Sequence, residues 1–323
     1  MSGGGAWDTW DSCERGTRTG SVPEPIDPRH CPASPWEYMV NALSGAPRTS
    51  VLFVTDLAYQ ARGRRYCDED VFLTSRLREA FDVALCHPKD AAALLDGFDA
   101  VVVRNSGPVL YYPEAYAAFR NRAREVGARV YNSLDGGGDM AGKQYLVDLT
   151  RAGCPVIPTV DRVADLGLLP GAAEYVVKPK LGADSAGLRF VREAELAGAF
   201  ADGGDGEGAL LVQPRIGFRY EVSFYFVDQD FQYALYAPDP ERRWVLEPYT
   251  ASGADLDFAR RFVAWNSLSR GIQRVDACRT AGGGLLLVEL EDLNPYLSLD
   301  LLPTGVRDAF VARMITAVRE LTA

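Results

Sequence analysis

The chain has 323 residues, 47% hydrophobic and 24% charged, with 44 acidic against 34 basic residues and a formal net charge of −10. That is about two domains' worth of ordinary globular chain and excludes a mainly disordered protein. The acidic balance argues against a nucleic-acid-binding surface, no run of 18 apolar residues predicts a membrane span, and the start, MSGGGAWDTWDSCERG, lacks the regions of a secretory signal.

Residues 1–48 carry Pro23, Pro25, Pro28, Pro32, Pro35 and Pro47 with little apolar period, and predict an irregular arm. Trp7, Trp10 and Trp36 predict that part of it packs on the body or on a second subunit of a homodimer. SVLFVT, residues 50–55, reads as a buried parallel strand. A helix over 69–80, strands over 81–86 and 100–104, a helix over 113–126 with Pro113 in its first turn, and a strand over 128–132 follow. This alternation predicts a small doubly wound α/β domain whose ligand lies beyond the carboxyl ends of the strands, where Arg104, Asn105 and Ser106 sit.

After the linker SLDGGGD, residues 133–139, a helix is expected over 140–152, ended by Gly153, and Pro155 and Pro158 bracket an extended piece. Strands over 174–178, 188–191 and 210–213 surround a helix over 194–200, and DGGDGEG reads as a surface turn. Residues 220–227 alternate as a half-buried antiparallel strand pairing with 231–237. An amphipathic helix over 255–269, strands over 272–278 and 285–291 joined by a Gly-rich turn, and a helix over 306–321 close the chain.

Six scattered cysteines without a CxxC pair point to reduced thiols in a cytoplasm. Only His30 and His87 are present, so the chemistry must rest on Lys, Arg, Asp, Glu and backbone amides. The sharpest signal is RVDACRTAGGGLLLVELEDLNPYLSLD. Glu289 and Glu291 are two apart on one strand and share a face, and the hairpin brings Asp276 beside them. Three converging carboxylates call for a hard cation, and Mg²⁺ with nucleotide phosphates suits them. Arg274, two before Asp276, suits a phosphoryl group in transfer. The competing reading is a solvated acidic hairpin, but the segment is apolar on its other face. YVVKPKLGADSAG delivers Lys178 from a buried strand into a glycine-bearing loop, without the Walker A order. Lys143 opens the helix after the Gly-rich linker.

In this order, GKQYL…GCPVIPT, YVVKPKLGADSAG, LLVQPRIGFRYEVSF and RVDACRTAGGGLLLVELEDLNP resemble the ATP-grasp superfamily. FDAVVVRNSGPVLYY and VELEDLNPYLSL look like the branch that includes D-cycloserine synthetase and its glutathione-synthetase-like relatives. The resemblance implies an α/β (α+β) chain: an irregular arm at 1–48, a Rossmann-like pre-ATP-grasp domain at 49–135, a lid and nucleotide subdomain at 136–217, and a C-terminal catalytic subdomain at 218–323. It implies ATP and Mg²⁺ as cofactors. Lys143 and Lys178 match the phosphate-binding lysines, Gly182, Ser185 and Gly187 the mobile loop, Gln213 the adenine hinge and Glu221 the carboxylate that meets the nucleotide sugar. Asp276, Glu289 and Glu291 match the metal ligands, and Arg274 the arginine at the transferring phosphoryl. Two positions depart from the pattern: the hinge commonly has Glu where Gln213 stands, and the third metal position is commonly Asn, so Asn294 is the alternative to Glu291.

The activity implied is ATP-dependent carboxylate–amine ligation through an acyl phosphate, on a small amino-acid-like or peptide substrate. The alternatives are a cyclising ligase, a kinase and a catalytically silent ATP-binding protein. Arg104 and Arg219, and more weakly Arg242 and Arg243, are the candidate substrate carboxylate clamps, because guanidinium grips carboxylate bidentately.

Overall fold

The computed structural model describes residues 48–323 apart from 62–63, 106–110, 182–186 and 202–208. The expectations for the arm before residue 48, for Ser106, and for Gly182 and Ser185 lie outside these residues.

The first part runs β1 (Ser50–Thr55), β2 (Gln60–Ala61), β3 (Arg64–Arg65), α1 (Tyr66–Leu77), β4 (Asp82–Cys86), α2 (Ala91–Leu94), β5 (Ala100–Asn105), α3 (Pro113–Val126) and β6 (Val130–Tyr131). Strands β4-β1-β5-β6 form a parallel sheet in that order. Continuous apolar runs make these strands, and both faces of the sheet are covered, as parallel sheets require. Pro113 starts α3, and Gly127, with φ +64°, ends it in the left-handed conformation.

Next come α4 (Gln144–Arg151), β7 (Tyr175–Pro179), β8 (Arg189–Val191), α5 (Leu196–Ala201) and β9 (Leu210–Pro214), with β8-β7-β9 a small antiparallel sheet. The extended piece expected between Pro155 and Pro158 ties two sheets together. Leu287 donates its N–H to the Pro155 carbonyl at 2.9 Å and accepts from Ile157 at 3.0 Å, while Val160 and Val212 exchange bonds at 3.0 and 2.8 Å.

The last part is β10 (Phe218–Val227), β11 (Asp230–Ala237), β12 (Glu247–Pro248), α6 (Gly253–Asn266), β13 (Ile272–Thr280), β14 (Leu285–Glu291) and α7 (Thr304–Thr322). Its antiparallel sheet has the order β12-β11-β10-β13-β14. Alternation along β10 and β13 divides the side chains between two faces. On one face Val222, Phe224, Phe226, Val275 and Ala277 pack on Ala259, Phe262 and Val263 of α6. Each fully buried phenylalanine there contributes about 2–3 kcal/mol. Ser252 caps α6 by accepting from the Asp255 N–H, and the Asp255 carboxylate answers on the Ser252 N–H. On the other face Tyr225, Val227, Tyr233 and Leu235 pack against Phe310, Val311 and Met314 of α7, in a core shared with Val51, Phe53 and Leu73. That apolar cover stops short of Glu221, Ser223, Arg274, Asp276, Glu289 and Glu291, which form the floor described next.

Three differences from the sequence reading have simple causes. The helix expected from residue 140 begins only at Gln144, because Asp139–Ala141 makes a single tight turn and Gly142 takes φ +84°. The strand expected over 128–132 contracts to Val130–Tyr131. The β2–β3 hairpin and β12 have two residues per strand, too few for alternation to show. Among the described residues no helix is long and apolar enough to cross a membrane, and Cys67, Cys86, Cys154 and Cys278 are free thiols.

Candidate functional site

The register of β13 against β14 builds the floor. Asp276 stands opposite Glu289 and Arg274 opposite Glu291, so all four side chains rise from one face. One carboxylate oxygen from each of Asp276, Glu289 and Glu291 lies within 4.8 Å of the others. Arg274 binds across this group. Its Nε donates to Asp276 Oδ1 at 2.9 Å, Nη2 to Asp276 Oδ2 at 2.9 Å and to Glu291, and Nη1 to the Tyr296 carbonyl at 3.0 Å. The guanidinium also sits 6.0 Å from the Tyr225 ring centroid. Burial pushes the Glu291 carboxyl well above the ordinary range, Arg274 opposing and Asp276 and Glu289 adding to it. A cluster so charged offers hard oxygen ligands to a divalent cation of the Mg²⁺ kind.

Lys143 enters from the Gly-rich linker. Its Nζ donates to Asp139 Oδ1 at 3.0 Å and to Glu289. Burial alone would lower its pKa, but Asp139 and Glu289 outweigh that and raise it. Burial likewise works to raise Glu289, yet Lys143 and Lys178 hold it down at about 2. Asp139 is pushed up to about 7 by burial, against the pull of Lys143 and with the push of Glu289. Asp139 is thus a fourth carboxylate at the floor. The sequence reading passed over it, although an acid four residues before a lysine is a visible signal.

The linker is held in a tight cradle. Asp292 accepts from the Gly138 N–H at 2.9 Å and the Met140 N–H at 2.7 Å, and Asn266 Oδ1 accepts from Gly137 at 2.6 Å and Gly138 at 2.9 Å. A Cβ on Gly138 would stand 2.8 Å from the Leu290 carbonyl oxygen and 3.1 Å from the Asp292 carboxyl, so the backbone contact excludes a side chain. The Leu290 N–H donates to the Tyr145 hydroxyl at 2.7 Å, which pins α4 to β14. Asp292 and Asn266 therefore set where Lys143 can reach.

Lys178 lies at the end of β7, paired with Leu211 of β9 through its backbone, and its ammonium donates no hydrogen bond among the described residues. Burial lowers its pKa, Glu289 raises it and Lys143 lowers it further. Glu221, on the same face of β10, accepts from Arg243 Nε at 2.7 Å, with a second contact to Arg243 Nη2 at 2.6 Å. Gln213 is buried in β9 opposite Val176 of β7, and its side chain donates to Thr159 at 2.8 Å. Gly187 closes the turn before β8, beside Pro179 at the end of β7.

The four candidate clamps separate. Arg219 is exposed about 13 Å along β10 from Ser223 and donates to the Ala281 carbonyl at 2.6 Å, so it ties down the β13–β14 turn instead of reaching the floor. Arg242 pairs with Asp239 at 2.7 Å. Arg243 is engaged with Glu221. Arg104 is buried in a network the sequence reading missed: it reaches Glu69 at 3.0 Å and Asp70 at 3.3 Å, and Thr55 donates to Asp70 at 2.7 Å. The ED pair in α1 was the available signal. Asn294 follows β14 and is half-buried.

Neither family models nor the curated proteins give a match to this chain. Solved structures do. D-cycloserine synthetase DcsG overlays with a TM-score of 0.64 at 22% identity, over 82% of this chain and 99% of that one. D-alanine–D-alanine ligase from Bacillus anthracis, complexed with ATP, gives 0.59 at 12% identity over 85% and 97%. The ATP-grasp ligase PsnB, complexed with precursor peptide PsnA2 and AMPPNP, gives 0.56 at 18% identity over 86% and 99%. The chain has the fold of the ATP-grasp ligases.

Proposed function

We propose that the protein is an ATP-dependent carboxylate–amine ligase, activating a small amino-acid-like or peptide carboxylate as its acyl phosphate and releasing ADP and phosphate. The observation that carries this is the convergence of Lys143, Lys178 and Arg274 on Asp276, Glu289 and Glu291. The overlay on solved ATP-grasp ligases supports it.

In this reading the nucleotide lies over the floor, beneath the β8-β7-β9 sheet. Lys143 and Lys178 neutralise its terminal phosphates, and Arg274 holds the phosphoryl oxygens during transfer. Asp276, Glu289 and Glu291 hold Mg²⁺, which when bound supplies charge neutralisation at the phosphate oxygens. The grouping of Glu291 with the other two carboxylates favours it over Asn294 as third ligand. Glu221 takes the sugar hydroxyls once Arg243 moves aside, and the hinge at Gln213 meets adenine through backbone groups. Gly182, Ser185 and Gly187 belong to the loop that excludes water from the acyl phosphate. The division into bodies near residues 49, 136 and 218, and a cytoplasmic location, are part of the same proposal.

A cyclising ligase, with amine and carboxylate in one molecule, is the second reading, favoured by the overlay on D-cycloserine synthetase DcsG. A silent ATP-binding protein fits less well, since no charged member of the set has been lost. Thermal melting with AMP-PNP tests the site. Mg²⁺-dependent stabilisation is expected from binding to the native state alone. No stabilisation, or the same stabilisation without metal, overturns the reading.

A further inference from the structure

The two lysines assigned to the phosphates stand on different pieces of chain, Lys143 at the start of α4 and Lys178 at the end of β7. Their spacing depends on what fastens one piece to the other. Lys180 does so twice. Its backbone carries the β7–β9 pairing one step further, donating its N–H to the Ala209 carbonyl at 2.9 Å, while its own carbonyl accepts from the Lys143 N–H at 3.1 Å. Two residues beyond Lys178 on extended chain, its side chain leaves on the same face. There its ammonium donates to Gln144 Oε1 at 2.5 Å and to Asp161 Oδ2 at 2.8 Å.

Each acceptor is itself aimed. Gln144 Nε2 donates to Asp148 Oδ1 at 3.2 Å, one turn further along α4, which leaves the amide oxygen for Lys180. Asp161 directly follows Val160, whose bonds to Val212 anchor it beside β9. Its other oxygen lies 3.7 Å from Arg151 at the far end of α4, and Arg151 also donates to Asp165 at 3.0 Å. Residues 144, 148 and 151 share one face of α4, and the Lys180 ammonium sits between that face and the segment after Val160. Only 17% of the Lys180 side chain and 10% of that of Asp161 are exposed. The approach of the two pieces is close: a Cβ on Gly142 would stand 2.7 Å from Leu181 Cδ2.

A buried ion pair adds little net stability over apolar side chains of the same volume. What an ammonium with two fixed acceptors supplies is direction. Neither acceptor belongs to the carboxylates of the floor, so Lys180 spends its charge on the junction, while Lys143 and Lys178 both act on Glu289.

We infer that Lys180 is a positioning residue, which docks the start of α4 on the end of β7 and thereby sets the spacing of Lys143 and Lys178 for a triphosphate. The inference rests on the reading of the site as ATP-binding and adds to it a residue that touches no ligand.

The test is calorimetric titration of the full chain with Mg–AMP-PNP and with adenosine. Adenosine has the base and sugar but no phosphate, so the spacing of the lysines does not enter its affinity. Lys180→Met should weaken Mg–AMP-PNP by about tenfold or more, the scale for a partner that orients a binding group, and leave adenosine within about twofold. Lys143→Gln should also weaken Mg–AMP-PNP, and the two losses should not add: the double variant should bind no more weakly than Lys143→Gln alone. Gln144→Ala keeps the Lys180–Asp161 pair and decides the matter if Lys180→Met folds poorly. It should weaken Mg–AMP-PNP by about threefold or more, the scale of one hydrogen bond, again without adding to Lys143→Gln. Should adenosine bind too weakly to titrate, the cycles with Lys143→Gln decide alone. Unchanged Mg–AMP-PNP affinity, an equal loss for adenosine, or losses that add to that of Lys143→Gln overturns the inference. Failure of the wild-type chain to bind Mg–AMP-PNP would instead count against the ligase reading.

Discussion

Arg274→Lys separates structure from chemistry most sharply. The guanidinium makes five hydrogen bonds in three directions: three to Asp276, one to Glu291 and one to the Tyr296 carbonyl. An ammonium donates from a single point and cannot span both strands and that carbonyl. At least two charge-assisted bonds are lost, at about 1.5–3 kcal/mol each, so stability should fall by about 3–6 kcal/mol. At roughly 2–4 °C per kcal/mol for a chain of this size, the melting midpoint should drop by roughly 6–24 °C. The sequence alone set a structural bridge and a transfer role against each other; the geometry shows the bridge, and the proposed transfer role is compatible with it. Turnover per folded molecule should also fall, by about 10²-fold or more. The assay is thermal melting, followed by MgATP-dependent ADP release well below the variant's midpoint, with AMP-PNP binding as the control for an intact site. A wild-type midpoint would refute the bonding argument, and wild-type turnover in the cold would refute the transfer role.

Asp276→Asn and Glu289→Gln should each lower turnover by about 10²-fold or more and abolish the Mg²⁺ dependence of AMP-PNP stabilisation; near-normal Mg²⁺-dependent activity in both would remove the metal assignment. Gly138→Ala should destabilise by about 1–3 kcal/mol, the range for a side chain forced into packed surroundings, and weaken AMP-PNP binding through Lys143; urea melts and nucleotide titration check it, and an unperturbed variant would show the cradle is loose. Glu69 provides a pH test. Its folded pKa is raised, so its contribution is fully present below the unfolded value near 4.5 and is lost as pH rises through about 7. Wild type should therefore lose stability relative to Glu69→Gln between about pH 4.5 and 7, and a constant difference would contradict the burial argument.

The floor was legible because it depends only on local periodicity. The i, i+2 spacing of Glu289 and Glu291, and a hairpin through a Gly-rich turn, place three carboxylates and Arg274 on one face without knowledge of the rest. Lengths of β1, α3 and β14 were equally readable, because apolar runs, a proline start and a glycine stop mark them. What was not legible depends on distant partners. Nothing local says that Asp292 and Asn266 hold the Gly-rich linker, that Asp139 shares Lys143 with Glu289, or that Thr159 takes the Gln213 side chain. Arginine identity alone could not distinguish Arg219, spent on a turn carbonyl, from Arg104, sunk between Glu69 and Asp70. Those assignments needed the sheets to be brought together.

The central claim is that this site transfers the terminal phosphoryl of ATP to a carboxylate. It is tested most directly by incubating the protein with MgATP, a pool of amino acids and small peptides, and hydroxylamine, then measuring nucleotide and hydroxamate together. The account predicts ADP and phosphate in equal amounts, matched by hydroxamate and amide product together, all dependent on the carboxylate substrate. AMP with pyrophosphate would contradict it by pointing to adenylate chemistry, and ADP with neither hydroxamate nor amide would contradict it by leaving only a kinase.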